Sequence, residues 1–325
     1  MNWPGKTSGS EEKMSLLSVV IPAHNEEKNI RRVIERLSEV LEKEQISFEM
    51  IFVNDGSRDG TWDRILEAYQ TRKDLSAIRF SRNFGKEAAM LAGLEKARGD
   101  CCVVIDCDLQ HPPEKIPEMY RLWEQGYEVV EGVKRSRGRE NMFHRLSARF
   151  FYFMMSRTAH IDMASASDFR LLDRKVVDVL TALPERSPFF RALSTWVGFK
   201  SVKIEYDVEE RKEGASNWSF FSLTKYAIRN IVSFSSVPLK MITWTGFFCL
   251  LITIVMGIQT IIRYASGKAV EGFTTVILLL LLIGGLIMIS LGIIGLYLAQ
   301  MYEELKHRPL YLIDEYRESR NLKGI

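Results

Sequence analysis

Asp106 and Asp108 stand one residue apart at the end of an apolar run, Cys101–Ile105, with Gln110 and His111-Pro112-Pro113 directly behind them. On extended chain, carboxylates two positions apart point to the same side. Two such charges at the end of an apolar strand repel one another unless a cation lies between them. A hard divalent ion such as Mg2+ meets that need, because it takes one or two carboxylates and completes its shell with substrate phosphates. Two more apolar runs end in polar clusters. Leu16–Ile21 runs into Pro22-Ala23-His24-Asn25-Glu26-Glu27, and Phe48–Val53 into Asn54-Asp55-Gly56-Ser57-Arg58-Asp59-Gly60. Each cluster alone is turn and cap chemistry, and His24 alone is a packed surface histidine. Beside a D-x-D exit, the two clusters become candidate ligand loops. No GxGxxG follows the first run and no Walker A sequence occurs, which removes the dinucleotide and P-loop readings.

The elements that must position these residues follow from the hydropathy pattern. Leu16–Ile21, Phe48–Val53, Ala77–Phe80, Cys101–Ile105 and Glu128–Val133 read as strands, and segments near 27–43, 60–70, 86–98 and 114–124 as helices. That alternation predicts an α/β domain with a mostly parallel, Rossmann-like sheet whose ligands sit beyond the strand C-termini. The chain has 325 residues, and 44 basic against 41 acidic side chains leave a net charge of +3, which excludes a dedicated nucleic-acid binder. The four cysteines form no zinc or disulfide pattern and read as reduced, buried thiols.

The rear of the chain is of another kind. Met241–Ile262 is a stretch of 22 residues without a charge, and 31 more lie between Glu271 and Glu303. Both are long enough to span a bilayer, and their lack of charge argues against core helices. Two spans make a hairpin with both ends on one side. Arg229, Lys240, Lys306, His307 and Arg308 flank it, against Arg263 and Lys268 in the loop, and residues 1–15 form a polar tail without an apolar leader. The expectation is a multi-pass protein of the inner membrane with its front domain in the cytoplasm. Ahead of the first span, Phe220, Phe221, Leu223, Tyr226, Ile231 and Phe234 recur at helical spacing around Lys225 and Arg229. They suit either an interfacial amphipathic helix or a helix packed on the front domain.

The motifs PAHNE, VNDGSRDGT, SRNFGKEAAMLAGLEKARGD and DCDLQHPPE, in this order and spacing, resemble the GT-A domain of family 2 glycosyltransferases. With SDFRLLDR at 167–174, FFRALSTWVGF at 189–199, RKEGASNWSF at 211–220, SFSSVPLK at 233–240 and two spans, the chain resembles the polyisoprenyl-phosphate glycosyltransferases. That group includes dolichol-phosphate mannose synthase-like and bactoprenol glucosyltransferases, and the likeness runs from Leu17 to about Leu312. It implies a GT-A domain over 16–215, an interfacial region over 216–240, spans at 241–262 and 274–298 within 241–301, and a cytoplasmic tail over 302–325. Pro22, His24, Glu26 and Asp55 would then hold the nucleotide. Asp106, Asp108 and Gln110 would hold Mg2+ or Mn2+ and the donor diphosphate, with Asp106 and Asp108 as the catalytic pair. Arg211 would close over the diphosphate, and Lys134, Arg135, Arg137 and Arg145 would engage the acceptor phosphate. Asn217 stands where the family has lysine, and Arg191-Ala192 where it has arginine-glycine.

The implied reaction is inverting transfer from a nucleotide sugar, a UDP-sugar ahead of GDP-mannose, to polyprenyl phosphate. A homo-oligomer such as a tetramer and a flippase partner belong to the same implication, and nucleic acid does not. A processive polysaccharide synthase is the rival enzyme, but the chain lacks a Q-x-x-R-W motif. A catalytically silent scaffold for a flippase would not need the acids at 55, 106 and 108.

Overall fold

The computed structural model describes residues 15–135, 167–183, 189–207, 237–266 and 272–320. Two compact units divide them: one holds the sheet and also takes in residues 309–320, and the other holds the two long helices. The first unit is built on β1 (Leu16–Ala23), β2 (Ser47–Asn54), β3 (Leu75–Phe80) and β4 (Cys101–Val104), which are almost continuously buried. Such mostly apolar, buried runs suit strands covered on both faces. β5 (Val129–Lys134), β6 (Arg170–Asp173), β7 (Ser201–Tyr206) and β8 (Ile313–Arg317) complete an eight-stranded sheet of order β7-β5-β6-β4-β1-β2-β3-β8. β1 pairs in parallel with β2 (Val19 opposite Met50) and with β4 (Val19 opposite Val103). β2–β3 and β5–β7 are parallel as well, whereas β6 runs antiparallel to β4 and β5, and β8 antiparallel to β3.

The crossovers are α1 (Ile30–Lys43), α2 (Thr61–Thr71), α3 (Lys86–Lys96) and, after a short 3-10 turn, α4 (Ile116–Glu124). α1 buries Ile30, Val33, Ile34, Leu37 and Leu41, the i, i+3, i+4, i+7 stripe of a helix lying on a sheet. α3 lies so close to the sheet that a Cβ at Gly93 would come within 2.3 Å of Val20. Chain order reverses beside β1, whose neighbours are β2 and β4. A crevice therefore opens at their C-terminal ends, the usual ligand position in doubly wound sheets.

α5 (Arg174–Ala182), capped by the Asp173 carboxylate, and α6 (Phe190–Trp196) follow β6. The rear helices are α7 (Val237–Ala265) and α8 (Phe273–Leu305), longer than their uncharged stretches because polar turns extend the ends. Val237–Arg263, 27 residues, and Leu282–Leu305, 24 residues, are long and apolar enough to cross a membrane. At 1.5 Å per residue, each exceeds the roughly 30 Å hydrocarbon core. Trp244, Phe248, Ile261 and Met288 stand exposed along them.

One expectation needs correcting. Residues 302–325 are not simply a tail, because α8 continues to Leu305 and Ile313–Arg317 is the edge strand β8. Its run Ile313-Asp314-Glu315-Tyr316-Arg317 lacks the apolar signature of a central strand, since only one side meets the sheet. The amphipathic segment ahead of α7 lies outside the described residues, apart from the Val237–Lys240 turn that opens that helix.

Candidate active site

The ends of β1, β2 and β3 meet around Asp55, which is 3% exposed. Its carboxylate accepts the backbone N–H of Phe84 at 2.6 Å and of Gly85 at 2.9 Å, and its own N–H donates to the Ala23 carbonyl at 2.9 Å. One acid thus ties three strand exits together. Gly56 (φ 61°) makes the close approach possible, because a Cβ there would fall 2.3 Å from the Arg82 carbonyl carbon. His24 Nδ1 lies 2.7 Å from the Asp55 carbonyl and Asn25 Nδ2 lies 3.1 Å from His24 Nε2. A carbonyl only accepts, so Nδ1 carries the proton and Nε2 accepts from Asn25. Pro22 is buried in β1, opposite Val53. Glu26 takes the Asn29 amide at 2.6 Å, and its backbone N–H is held by Thr61 Oγ1 at 2.8 Å.

At the exit of β4 the structure departs from the spacing argument. β4 ends at Val104, where its pairing with β6 stops, and residues 107–109 turn, with Leu109 at φ 57°. Asp108 Oδ1 accepts the Gln110 N–H at 3.1 Å, the behaviour of a turn-forming aspartate. Asp106 and Asp108 therefore do not share a side by strand alternation: Asp106 follows the strand end and Asp108 lies in the turn behind it.

Asp106 opens a chain of charges. Lys86 Nζ lies 2.6 Å from Asp106 Oδ1 and 2.7 Å from Asp168 Oδ2, and Arg191 grips Asp168 through both Nε (2.6 Å) and Nη2 (2.9 Å). Burial by itself would raise the Asp168 carboxyl, but Lys86 and Arg191 outweigh it and hold the group far below the usual carboxylate range. Burial likewise opposes ionisation of Asp106, and the charge on Lys86 overcomes it. Burial disfavours the charge on Lys86 too, yet Asp106 and Asp168 keep it firmly protonated. Beside them Glu87, which accepts the Phe190 N–H at 2.9 Å, is pushed up to about 7 by burial and by Asp168. His111 is 4% exposed and stacks on Phe169 with centroids 5.1 Å apart. Its Nδ1 accepts the Asp106 N–H at 3.4 Å, and burial lowers its pKa, so it is neutral. Beneath the cluster Arg170, 1% exposed, binds Glu131 at 2.9 Å and Ser194 at 2.6 Å, fixing β6 against α6 and hence Asp168 against Arg191.

The donor set suits a hard cation shared with phosphate. Apart from the Lys86 ion pair, the buried Asp106 Oδ1 has no hydrogen-bond donor, and Asp108 and Gln110 are part-exposed beside it. Among the described residues no group of three or more His, Cys, Asp or Glu forms a closed metal cage. Two carboxylates with room for substrate oxygens match Mg2+ or Mn2+ better than a structural metal.

Among the basic residues, Lys134 lies within electrostatic reach of Asp106, Asp108, Lys86 and Arg191. Its pKa is lowered by burial first and Arg191 next. Arg135 turns to the sheet edge instead, 3.2 Å from Glu205 and 3.5 Å from Asp207. Arg137, Arg145, Arg211 and Asn217 lie outside the described residues. Sequence reasoning assigned no role to Lys86, Glu87, His111, Asp168 or Arg191. Each sits inside a motif used for the resemblance, so the signal was present, but nothing in the spacing showed that they meet.

A doubly wound sheet with an antiparallel insertion, a D-x-D turn at its crevice and cations around it defines a GT-A glycosyltransferase. Residues 18–181 match the model of glycosyl transferase family 2, and the chain belongs to that family. It is 40% identical to an uncharacterized glycosyltransferase of Synechocystis sp., covering 92% of this chain and 95% of that one. It is 35% identical to the bactoprenol glucosyl transferase of Shigella phage SfV, covering 93% and 99% respectively. The fold is also similar to glucosyl-3-phosphoglycerate synthase of Mycobacterium tuberculosis, solved with Mn2+, UDP-glucose and phosphoglyceric acid. There the TM-score is 0.51 at 21% identity, covering 71% of this chain and 83% of that one.

Proposed function

We propose that this enzyme is a membrane-anchored, inverting transferase that moves a hexosyl group from a nucleotide sugar, a UDP-sugar ahead of GDP-mannose, to polyprenyl phosphate at the cytoplasmic face of the inner membrane. The observation that carries the reading is the cluster of Lys86, Arg191 and Lys134 around Asp106 and Asp108. Bactoprenol glucosyl transferases matching nearly the full chain, and two helices fit to cross a membrane, support the acceptor and the setting.

Asp55, His24, Glu26 and Pro22 form the nucleoside end of the crevice. Asp106, Asp108 and Gln110 would hold Mg2+ or Mn2+, which when bound neutralises the departing diphosphate. Lys134 orients phosphate from the far side of the acids, with Arg137 and Arg145 following it in sequence; Arg211 serves the donor. Arg135 is partly withdrawn from that task by Glu205 and Asp207.

A sugar hydroxyl acceptor would need a general base, and among the described residues of the cluster the acid whose pKa suits that task, Glu87, is already engaged by the Phe190 N–H. Asp168 is clamped between two cations, and the Nδ1 of His111 is occupied by the Asp106 N–H. A phosphomonoester needs none, because its second pKa is near 6 and its oxygen is already ionised at neutral pH. What remains for the protein is to hold two phosphate groups together across one sugar, which cations do.

The test is transfer of radiolabelled hexose from UDP- and GDP-sugars to polyprenyl phosphate and, in parallel, to the same polyprenol without phosphate. Label on the phosphate alone, declining as pH drops below about 6, is the expected outcome. Efficient labelling of the free alcohol, or of a growing sugar chain, would overturn the mechanism in favour of a polysaccharide synthase.

A further inference from the structure

β8, the last strand among the described residues, touches the donor loop. β8 pairs with β3 from Ala77 opposite Arg317 to Phe80 opposite Ile313, and the Ser81 N–H donates to the Leu312 carbonyl at 3.1 Å. The ladder thus reaches the first residue of the Ser81–Gly85 loop, whose Phe84 and Gly85 amides hold Asp55. The register slips between Arg79 and Phe80, the kind of irregularity that re-aims a side chain. Phe80, 2% exposed, stacks on Tyr311 with centroids 4.9 Å apart and rings 13° from parallel. On its other side it meets Phe84 edge-on at 5.7 Å. The Tyr311 hydroxyl bonds to Glu95 on α3, the helix that begins where the loop ends. Tyr311, Phe80 and Phe84 therefore form a continuous aromatic column, and Phe84 is the residue whose amide meets Asp55 at 2.6 Å.

We propose that Tyr311, carried on the segment that returns after the second apolar helix, is a positioning residue for the nucleotide: it braces the Ser81–Gly85 loop so that the Phe84 and Gly85 amides stay aimed at Asp55. This rests on Asp55 being the nucleoside acid. The carboxylate and the column both hold the loop at Phe84, alongside the Ser81 bond to Leu312 and the Arg82 guanidinium 4.0 Å over the Phe84 ring. Without the column, Phe80 and Phe84 lose a packed face, and the two amides hold Asp55 for less of the time. The donor site is then complete only in a chain that includes residues 309–320, far beyond the family's catalytic motifs. Tyr311 touches no substrate, so its effect falls on donor affinity and not on turnover at saturating donor.

The experiment uses the full chain in lipid nanodiscs, as wild type, Tyr311→Ala, Tyr311→Phe and Asp314→Asn. Asp314→Asn removes one of the two β8 carboxylates that pair with Arg79, away from the column. Two readouts are taken: amide hydrogen exchange of residues 81–86, and binding of UDP and of GDP with Mn2+ by calorimetry. Tyr311→Ala is expected to speed exchange at Phe84 and Gly85 and to weaken nucleotide binding about fivefold, which is about 1 kcal/mol, within the range of one aromatic pair. Tyr311→Phe keeps the ring and stays within about twofold of wild type, as does Asp314→Asn, and kcat at saturating donor is unchanged in all three. Unchanged exchange in Tyr311→Ala, or equal losses in the Ala and Phe variants, overturns the inference. If the wild type binds neither nucleotide, the donor reading fails, while the exchange comparison still decides whether Tyr311 braces the loop.

Discussion

Replacing Asp168 by asparagine tests whether the charge chain holds the site together. The carboxylate sits between Lys86 at 2.7 Å and a two-point Arg191 contact at 2.6 and 2.9 Å, and its own side chain is 5% exposed. At an effective dielectric constant near 20, each contact is worth about 6 kcal/mol of gross Coulomb energy. Breaking a buried pair from one side typically costs about 3–5 kcal/mol. Lys86 and Arg191 are 41% and 35% exposed, so water relieves part of the loss and about 2–3 kcal/mol remains. For a domain of this size that lowers the melting midpoint by roughly 4–12 °C. Two acids and two bases balance in the wild type, and Asp168→Asn leaves one positive charge in excess. Lys86→Met leaves one negative charge, and the double variant is neutral again. Its cost should therefore fall short of the sum of the singles by at least about 1 kcal/mol.

Thermal unfolding can be followed in detergent by thiol labelling, with Cys249 replaced by alanine. Cys101, Cys102 and Cys107 are buried and react only when the sheet opens. The pH dependence carries a definite sign. Folding depresses the Asp168 pKa, so below about pH 4 the unfolded chain takes up the proton first. The advantage of wild type over Asp168→Asn is then full between about pH 5 and 8 and shrinks as the medium is acidified below about 4. A midpoint for Asp168→Asn within about 1 °C of wild type, or strictly additive costs, would refute the reasoning.

The acids of the D-x-D turn give a second expectation: Asp108→Asn cuts transfer by at least about 100-fold with the melting midpoint retained. EDTA stops the wild type and added Mg2+ or Mn2+ restores it, whereas full activity after chelation would count against the metal assignment. Glu87 has its folded pKa raised to about 7, so its contribution is present in acid and disappears as pH rises through that value. Glu87→Gln should therefore melt above wild type at pH 8 but not at pH 5, and the opposite order would show that folding lowers the Glu87 pKa instead of raising it. For the hairpin, a cysteine at the exposed Ser266 should react with an impermeant maleimide on whole cells and one at the exposed His307 should not. Labelling of both positions would remove the orientation argued from the flanking charges.

The central strands and their exits were legible in the sequence because buried parallel strands are mostly apolar, and β1 to β4 carry only Ser18, Ser47, Glu49, Asn54, Ser76 and Arg79 as polar members. β6 and β8 were not. β6 is four residues long with a buried arginine that reads as polar, and β8 alternates charges because it is an edge. Asp55, Asp106 and Asp108 were legible as polar residues where apolar runs stop. Lys86, Asp168 and Arg191 were not, since Lys86 and Asp168 stand 82 positions apart and only the antiparallel insertion of β6 brings them together. The reason first given for pairing Asp106 with Asp108 also failed, because β4 stops at Val104, two residues before Asp106.

The pairing of β8 with β3 also sets an order of events during synthesis. Arg79 and its partner Asp314 are 235 residues apart, and both apolar helices are made between them. At about 5–20 residues per second, roughly 10–50 s pass between the emergence of β3 and that of its partner. During that interval β3, an almost wholly buried strand in the finished protein, presents a bare ladder of N–H and C=O groups while the ribosome is feeding the bilayer. The nascent front domain is then at its most prone to edge-to-edge association, and a chain cut short before residue 309 never leaves that state. Covering that edge waits on both apolar helices and is left to charged residues that no apolar pattern would mark as structural.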